Sequence, residues 1–103
     1  MLRTAPAGSV NSGEKTVDAT IYTGSGFLTG VLIISDDTND PQVILYDNTA
    51  ASGTKIFEMK IDVSVEGFGR MVSVRDAYFA TGIHLDINGT GASCILYYRP
   101  TQN

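Results

Sequence analysis

The chain has 103 residues, of which 43% are hydrophobic, and this is enough for one hydrophobic core but not for two. Its formal net charge is −4 at pH 7, and its basic residues are scattered along the chain. The sequence therefore lacks the basic footprint with which proteins neutralise nucleic-acid phosphates or anionic lipid headgroups. We expect neither nucleic acid nor a membrane as the partner.

Cysteine usage and the apolar runs bear on where the protein works. Cys94 is the only cysteine, so no intrachain disulfide of the kind that frames small secreted domains is possible. It alternates in phase with Leu96 and Tyr98, which predicts an inert thiol in the core. The N-terminal stretch has no apolar segment of signal-peptide length, and the longest apolar run, Val31 to Ile34, is far shorter than the ~20 residues of a membrane-spanning helix. We expect a protein that stays in the cytoplasm or in a particle assembled there.

The chain divides by composition into an arm and a domain. Residues 1–14 are rich in Ala, Gly, Ser, Pro and Asn, with Leu2 and Val10 as isolated apolar residues. Such a segment cannot form an apolar face of its own, so we predict a flexible or extended N-terminal arm, either disordered or ordered on a neighbouring subunit. Residues 15–103 form the predicted domain. A domain this small gains stability from neighbouring subunits, and we expect a homo-oligomer.

The first half of the predicted domain has the pattern of three strands. A period of two begins at Thr16 and predicts a half-buried strand with Val17 on its apolar face. Residues 27–35 are apolar on both faces, as is typical of a central strand covered on both sides, and Gly30 within them predicts a bulge or a close backbone approach. A polar loop at 35–41 then leads into a third strand at 42–47.

The second half has the pattern of four more strands. Alternation predicts strands at 57–63, 72–75, 83–87 and 92–99. The turn at 88–91 is predicted to join the last two as a terminal hairpin, and residues 77–80 are predicted to be a short apolar connection. No window of ten or more residues has helical periodicity. Seven short strands predict a single antiparallel β-sandwich or jelly-roll-like barrel.

Side chains that carry catalytic chemistry are few. His84 is the only histidine and lies in mid-strand on a polar face, and no serine has the surroundings of a nucleophile elbow. His84 and Cys94 point to opposite faces of the predicted hairpin, which argues against a catalytic pair. The acidic residues lie in turns or on polar strand faces, where solvated charge is usual, so no carboxylate pair for glycoside hydrolysis stands out. We predict no enzymatic activity, no catalytic residue and no cofactor.

Metal binding has two weak candidates. One histidine and one cysteine cannot form a zinc site in a monomer, although three copies of His84 on the axis of a trimer could. The loop at 36–40 offers hard oxygen ligands that suit calcium, namely Asp36, Asp37, Asn39 and Asp40. Plain turns favour the same residues, and the loop lacks the spacing of an EF-hand. We predict no metal ligand, and calcium at this loop is the open alternative.

Tyrosines are the remaining candidates for binding. Alternation places Tyr22, Tyr46 and Tyr97 away from the core, where tyrosines anchor protein interfaces or form platforms for sugars. Ordinary cross-strand packing is the alternative. Together with two residues of the arm, they make up our predicted interface set: Arg3, Val10, Tyr22, Tyr46 and Tyr97.

Residues 20–99 carry a resemblance to a known group. The two segments concerned read IYTGSGFLTGVLIISDDTNDPQVILYDNTAASGTKIF and VSVRDAYFATGIHLDINGTGASCILYYRP. Their Tyr-x-Gly-x-Gly turn, their Asp-rich turn and their closing Tyr-Tyr resemble those of small virion proteins from tailed bacteriophages. These are turn and strand signatures, so no functional residue is carried over from them.

The resemblance implies a structural protein of β-sandwich type. A compact domain with an arm suits a capsid decoration or cement protein that binds the major capsid protein on the capsid surface and stabilises the head, and fibres, by contrast, usually carry long repeats. We expect such a protein to be a homotrimer, assembled in the host cytoplasm. A neck, tail or baseplate component is the first alternative, and a carbohydrate-binding module is the second.

Overall fold

The structure is a computed structural model that describes residues 9–36 and 38–101. This part of the chain contains eight strands and one short helix. In chain order they are β1 (Val10–Asn11), β2 (Ala19–Thr23), β3 (Gly26–Ile34), β4 (Gln42–Tyr46), β5 (Lys55–Lys60), α1 (Val63–Glu66), β6 (Gly69–Phe79), β7 (Gly82–Asn88) and β8 (Ser93–Pro100). The all-β prediction is confirmed, with eight described strands where the pattern predicted seven.

The strands form two antiparallel sheets of four strands each. Sheet A has the order β1-β8-β3-β6 and sheet B the order β2-β7-β4-β5. The pairs β4·β5, β3·β6, β2·β7 and β1·β8 nest inside one another, so the chain runs out and back as one antiparallel ribbon. Two further pairs, β3·β8 and β4·β7, fold this ribbon into two facing sheets. This is the double-sheet jelly roll, and the predicted sandwich or jelly-roll-like fold is confirmed.

The core fills the space between the two sheets. Its fully buried side chains come from both sheets and from the segment after β5: Leu28, Val31, Ile33, Val43, Leu45, Ile61, Phe79, Ile83, Leu85, Cys94 and Leu96. Burial of Cys94 confirms the prediction of a core thiol. Each of these side chains contributes about 1.5 to 3 kcal/mol relative to remaining exposed, so the contact between the sheets is the main source of stability.

A bulge in β3 decides which of its residues enter this core. Leu28 pairs with Tyr98 and Gly30 with Tyr97, so Thr29 is an extra residue opposite two adjacent partners. The bulge predicted from Gly30 is confirmed. In a strand without a bulge, alternation from Leu28 would point Gly30 inward and Val31 outward. Because of the extra residue Thr29, Val31 instead points inward and is fully buried.

The predicted hairpin of the last two strands is wrong. β7 belongs to sheet B and β8 to sheet A, so the turn between them crosses from one sheet to the other. Gly89 (φ 115°) and Gly91 (φ 72°) supply the positive φ values that this tight crossing requires. A Cβ on Gly91 would lie 2.2 Å from Asp36 Oδ2, because the turn packs against the loop after β3. The prediction of a turn with positive φ values at 88–91 is confirmed, but this turn joins two sheets and not the two strands of a hairpin.

Two segments differ from the sequence-based prediction in extent. β6 continues through Phe79, so most of the apolar stretch at 77–80 is strand and not a connection. β2 begins only at Ala19, which leaves Val17 outside the strand and 68% exposed. Part of the predicted arm lies beside β8: Val10 and Asn11 form β1, and Ser12 N donates to Leu96 O at 2.9 Å. Residues 1–8, with Arg3, lie outside the described residues.

Asp47 ties the end of β4 to the crossing between β6 and β7. Its carboxylate accepts backbone N–H groups from Ala80 at 3.0 Å, from Thr81 at 2.8 Å and from Gly82 at 3.4 Å. Partial burial raises the pKa of Asp47, but these three hydrogen bonds outweigh it and hold the pKa below its ordinary value of 3.8. The carboxylate therefore fixes a crossing that brings a strand of sheet A to sheet B.

We predict that Asp47→Ala lowers the free energy of unfolding by about 1 to 2 kcal/mol, because three donors lose their acceptor. Since the folded-state pKa is depressed, this contribution is present above pH 3.8 and is lost as the pH falls through the folded-state value. Urea unfolding at pH 7 and pH 3 measures both effects. Glu58→Gln is the control and should change little, because it removes an exposed ion pair with Lys55 and leaves an amide oxygen that can still accept from Gln42 Nε2. Equal losses for the two variants at pH 7 would contradict the role of Asp47.

Candidate functional site

The two sheets present chemically different outer faces. The outer face of sheet B is polar, and its side chains alternate with the core residues of β4, β5 and β7: Gln42, Tyr46, Lys55, Glu58, Lys60, His84, Asp86 and Asn88, with Ile44 as its apolar member. A mixed-charge surface of this kind is what a solvated face of an antiparallel sheet carries. Sheet A departs from this rule.

The outer face of sheet A is the candidate functional site. Its three long strands carry side chains that alternate with core residues: Phe27, Gly30, Leu32 and Ile34 on β3, Met71, Ser73 and Tyr78 on β6, and Ile95, Tyr97 and Arg99 on β8. Cross-strand pairing assembles them into rows, such as Ile95, Leu32 and Met71. Sheet B packs on the opposite side of sheet A, through the core. Seven large apolar or aromatic side chains are thus left on a surface that sheet B does not cover.

Exposure is concentrated along β6 and the segment before it. Met71 is 53% and Tyr78 56% exposed, whereas their neighbours on β3 and β8 are half-buried. Val65 of α1 and Phe68, just before β6, are 79% and 69% exposed. Large apolar side chains exposed together in this way mark an interaction surface more often than scattered single ones do.

One end of the outer face holds an aromatic and ionic cluster. The rings of Phe27 and Tyr78 have centroids 5.5 Å apart, and the guanidinium carbon of Arg99 lies 5.3 Å from the centroid of Phe27. Arg99 Nη2 is also 3.4 Å from Asp76 Oδ2. The guanidinium is held between a ring face and a carboxylate, so it presents a flat, oriented cation to whatever contacts this end.

A second ion pair lies near the start of β6 but on the other side of the sheet. Arg70 Nη1 lies 3.1 Å from Glu66 Oε2, and Arg70 pairs with the core residue Ile33, so alternation places its side chain on the side of sheet A that faces sheet B. The outer face therefore carries its ion pair at the Arg99–Asp76 end, where the exposed Arg75 also lies in the bulge of β6. An apolar surface with charged groups at its border is a common anatomy of protein interfaces.

The structure separates the predicted interface residues. Tyr97 lies on the outer face of sheet A beside Gly30, as expected for an outward tyrosine. Tyr46 lies on the outer face of sheet B, paired with His84. Val10 is on the edge strand β1 and 48% exposed. Arg3 lies outside the described residues, so its predicted role stays a prediction.

The predicted outward orientation of Tyr22 is wrong. Its ring packs against the core, with centroids 6.0 Å from Phe79 and 5.3 Å from Tyr98. The cause is a register shift in β2: Thr20 pairs with His84 and Tyr22 with Ile83, so Ile21 is an extra residue. Strict alternation predicted the opposite face because a bulge is invisible in the period-two pattern.

His84 and Cys94 are on different surfaces of the molecule. Cys94 is fully buried between the sheets, and burial raises the pKa of its thiol to about 12. His84 lies on the outer face of sheet B with Nδ1 3.1 Å from Thr20 Oγ1, which itself donates to Thr49 O at 3.0 Å. The two side chains therefore do not form a nucleophile–base pair, although the reason is their separate sheets and not the two faces of a hairpin.

The acidic loop after β3 is organised by internal hydrogen bonds. Asp36 Oδ1 accepts the backbone N–H groups of Thr38 and Asn39, both at 2.9 Å, and these hydrogen bonds hold the pKa of Asp36 below its ordinary value. Asp40 instead accepts from Val63 N at 3.0 Å. In the ranges 9–36 and 38–101 no three His, Cys, Asp or Glu side chains are grouped to hold a metal ion. Asp37 lies outside these ranges.

Sequence reasoning missed most of the outer face of sheet A. The sequence of β3 is apolar on both faces, which predicts a strand covered on both sides, whereas the structure leaves its outer face without a sheet packed on it. Tyr78 was assigned to a connection because β6 carries a bulge in which three residues lie opposite Thr29 and Asp76 adopts a positive φ of 47°. One sequence feature could have indicated the site. A strand that is apolar on both faces, at 27–35, occurs together with large apolar residues on polar-looking stretches elsewhere, such as Met71 and Tyr78.

Comparison with known proteins adds no relative. Searches of protein-family descriptions, of curated proteins and of solved structures each find no match to this chain. Among the residues that the structure describes, no helix is long and apolar enough to cross a membrane.

We predict that Cys94 does not react with a water-soluble thiol reagent at pH 8 while the protein is folded, because it is fully buried and its thiol pKa is raised to about 12. Addition of 6 M guanidinium should release one reactive thiol per chain. The absorbance of the released thiolate from an aromatic disulfide reagent measures both states. Rapid stoichiometric labelling of the folded protein would show that the sheets open at β8.

Proposed function

We propose that the protein is a structural subunit of a tailed-phage particle, and most specifically a capsid decoration protein that binds the major capsid protein and stabilises the head. The observation that carries the proposal is the apolar outer face of sheet A, which sheet B does not cover and which the Arg99–Asp76 ion pair borders at one end. A surface of this composition serves binding to another protein surface, since burial of its apolar side chains stabilises the contact.

The fold and the sequence resemblance support the same class. Jelly rolls form viral capsid domains as well as lectins and cupins, so the architecture alone leaves several functions open. The resemblance to small virion proteins over residues 20–99 favours the first of these. A compact jelly roll with an extended N-terminal segment also suits a subunit that bridges neighbours, because the segment widens the contact beyond the domain.

The proposed action is mechanical. A subunit that contacts two capsid proteins at once binds the closed shell more tightly than the opened one. Because binding favours the state that it prefers, the subunit stabilises the closed head. Chemistry at a catalytic centre is not required for this role. A neck, tail or baseplate position is the alternative virion location, and it would use the same surface in a smaller ring.

We predict hundreds of copies of this chain in each purified virion, counted against the major capsid protein by quantitative mass spectrometry. Virions of a phage lacking the protein should lose genome at a lower temperature, and adding the purified chain back should restore the resistance. A dozen copies or fewer would place it in the neck, tail or baseplate. Its absence from virions would refute the proposal.

A further inference from the structure

We propose that the Asn88–Gly89 step is a self-modification site, at which the side-chain amide of Asn88 is lost and an aspartyl or isoaspartyl residue takes its place. The proposal holds for any location of the protein, so it goes beyond the proposed function. It rests on the unpaired N–H of Gly89, on the exposure of both residues and on the tight packing of the turn that they begin.

The reaction needs only water. Gly89 N attacks Asn88 Cγ, which forms an N–Cγ bond and breaks the Cγ–Nδ2 bond, and the amide nitrogen leaves as ammonia with the proton that Gly89 N has lost. The product is a succinimide ring. Water then opens the ring at Cγ, which gives an aspartyl residue, or at the main-chain carbonyl carbon, which gives an isoaspartyl residue. One water is consumed and one ammonia released, without any oxidation or cofactor. Asparagine is thermolabile in proteins for this reason.

Gly89 meets the requirements for the attacking nitrogen. It has no side chain to crowd that nitrogen, and both Asn88 and Gly89 are exposed. Within the ranges 9–36 and 38–101, the Gly89 N–H donates no hydrogen bond. Hydroxide can therefore reach this N–H and remove its proton without breaking a hydrogen bond of the fold.

The side chain of Asn88 is lightly held. Asn88 is the last residue of β7, and its Nδ2 donates to Asp86 Oδ1 at 3.2 Å on the outer face of sheet B. Rotation of the side chain toward Gly89 N has to break this one exposed hydrogen bond. Both reacting groups are thus accessible at the point where the chain leaves sheet B.

Two other asparagines provide internal comparisons. After Asn11, the nitrogen that would attack is Ser12 N, which donates to Leu96 O at 2.9 Å. After Asn48, it belongs to the β-branched Thr49, and its N–H donates to Asn48 Oδ1 at 2.8 Å. In both cases the N–H is engaged and a side chain crowds the nitrogen, so these two steps should be much less reactive.

The modification changes the charge on the outer face of sheet B. Both products replace an amide that donates to Asp86 with a carboxylate that cannot donate. Two carboxylates then lie close together on one face of β7, and like charges at this distance repel. The end of β7 therefore loses a hydrogen bond and gains a repulsion.

The isoaspartyl product also lengthens the main chain by one methylene, and the turn has no room for it. A Cβ on Gly89 would lie 2.9 Å from Pro41 Cα, and a Cβ on Gly91 would lie 2.2 Å from Asp36 Oδ2. Residues 89–91 must therefore shift, and they lead directly into the start of β8, where Cys94 is fully buried. We expect the modification to loosen this start and to expose the thiol.

Ageing of the purified full chain tests the site. Samples are held folded at pH 9 and at pH 6, and mass spectrometry of their peptides measures the amide that remains at each asparagine. A methyltransferase specific for isoaspartyl carboxylates counts the isoaspartyl product. Asn88 should lose its amide, and faster at pH 9 because hydroxide removes the Gly89 proton, whereas Asn11 and Asn48 should keep theirs.

The same chain in 6 M guanidinium shows how fast the step reacts without the fold. Loss of the Asn88 amide in the folded chain, with Asn11 and Asn48 intact, supports the proposal. Loss at Asn88 in the unfolded chain alone would show that the fold blocks the attack, and it would overturn the proposal. An Asn88 that survives as long as Asn48 in the folded chain would do the same.

The thiol of Cys94 tests the structural consequence. Anion exchange separates the aged chains by their added negative charge, and their Cys94 should react with a thiol reagent faster than that of unmodified chains. Asn88→Gln is the matched control: it keeps an amide but would need a larger ring, so it should stay intact and unreactive after the same ageing. Fresh Asn88→Asp carries the charge without the extra methylene, so a thiol more reactive than in this variant assigns the loosening to the isoaspartyl main chain. Aged chains with an unreactive Cys94 would contradict the loosening.

The measurements are independent of the proposed function. They use the purified chain and no virions, so absence of the protein from virions would leave this inference standing. Conversely, an Asn88 that resists ageing would leave the virion proposal untouched.

Discussion

Pairing of β3 along both of its edges is the constraint on which the rest of the structure depends. β3 lies between β8 and β6, so its own alternation decides which side chains face sheet B and which face outward. The extra residue Thr29 reverses that alternation and sends Val31 and Ile33 into the core, while Leu32 and Ile34 remain outside. A one-residue change of register would exchange the two sets. The core and the candidate site are therefore two faces of one strand, and any shift in the register of β3 would change both together.

The strands themselves were predictable because alternation is a local property. Residues 83–87 and 92–99 each alternate clearly, and both are strands in the structure. Their partners were not predictable, because β7 and β8 bury side chains in the same core from opposite sheets and so carry the same pattern as a hairpin. The predicted orientation of Tyr22 is wrong for a related reason. One extra residue, Ile21, reverses the face of the sheet on which Tyr22 lies, and the composition of the segment does not reveal it.

Less of the candidate site than of the fold could be predicted from the sequence. The doubly apolar stretch at 27–35 was recognised, yet a sequence does not distinguish a face covered by its own chain from one available to another. Tyr97 was identified because it alternates regularly on β8, whereas Tyr78 was missed because the bulge of β6 interrupts the pattern just before it. The site becomes visible only when pairing places Met71 and Ile95 in one row with Leu32.

The nested ribbon has a consequence for how the chain reaches this state during synthesis. β8 is the last of the eight strands in chain order, yet it occupies the position between β1 and β3 in sheet A. Among the described strands only the β4·β5 pair joins neighbours in the chain, so most of the pairing has to wait for segments that are synthesised much later. During that interval β3 presents apolar side chains on both faces and one unpaired edge, which is the combination most exposed to aggregation. Slow translation of the region before β8 would therefore lower the yield of folded protein more than slow translation elsewhere in the chain.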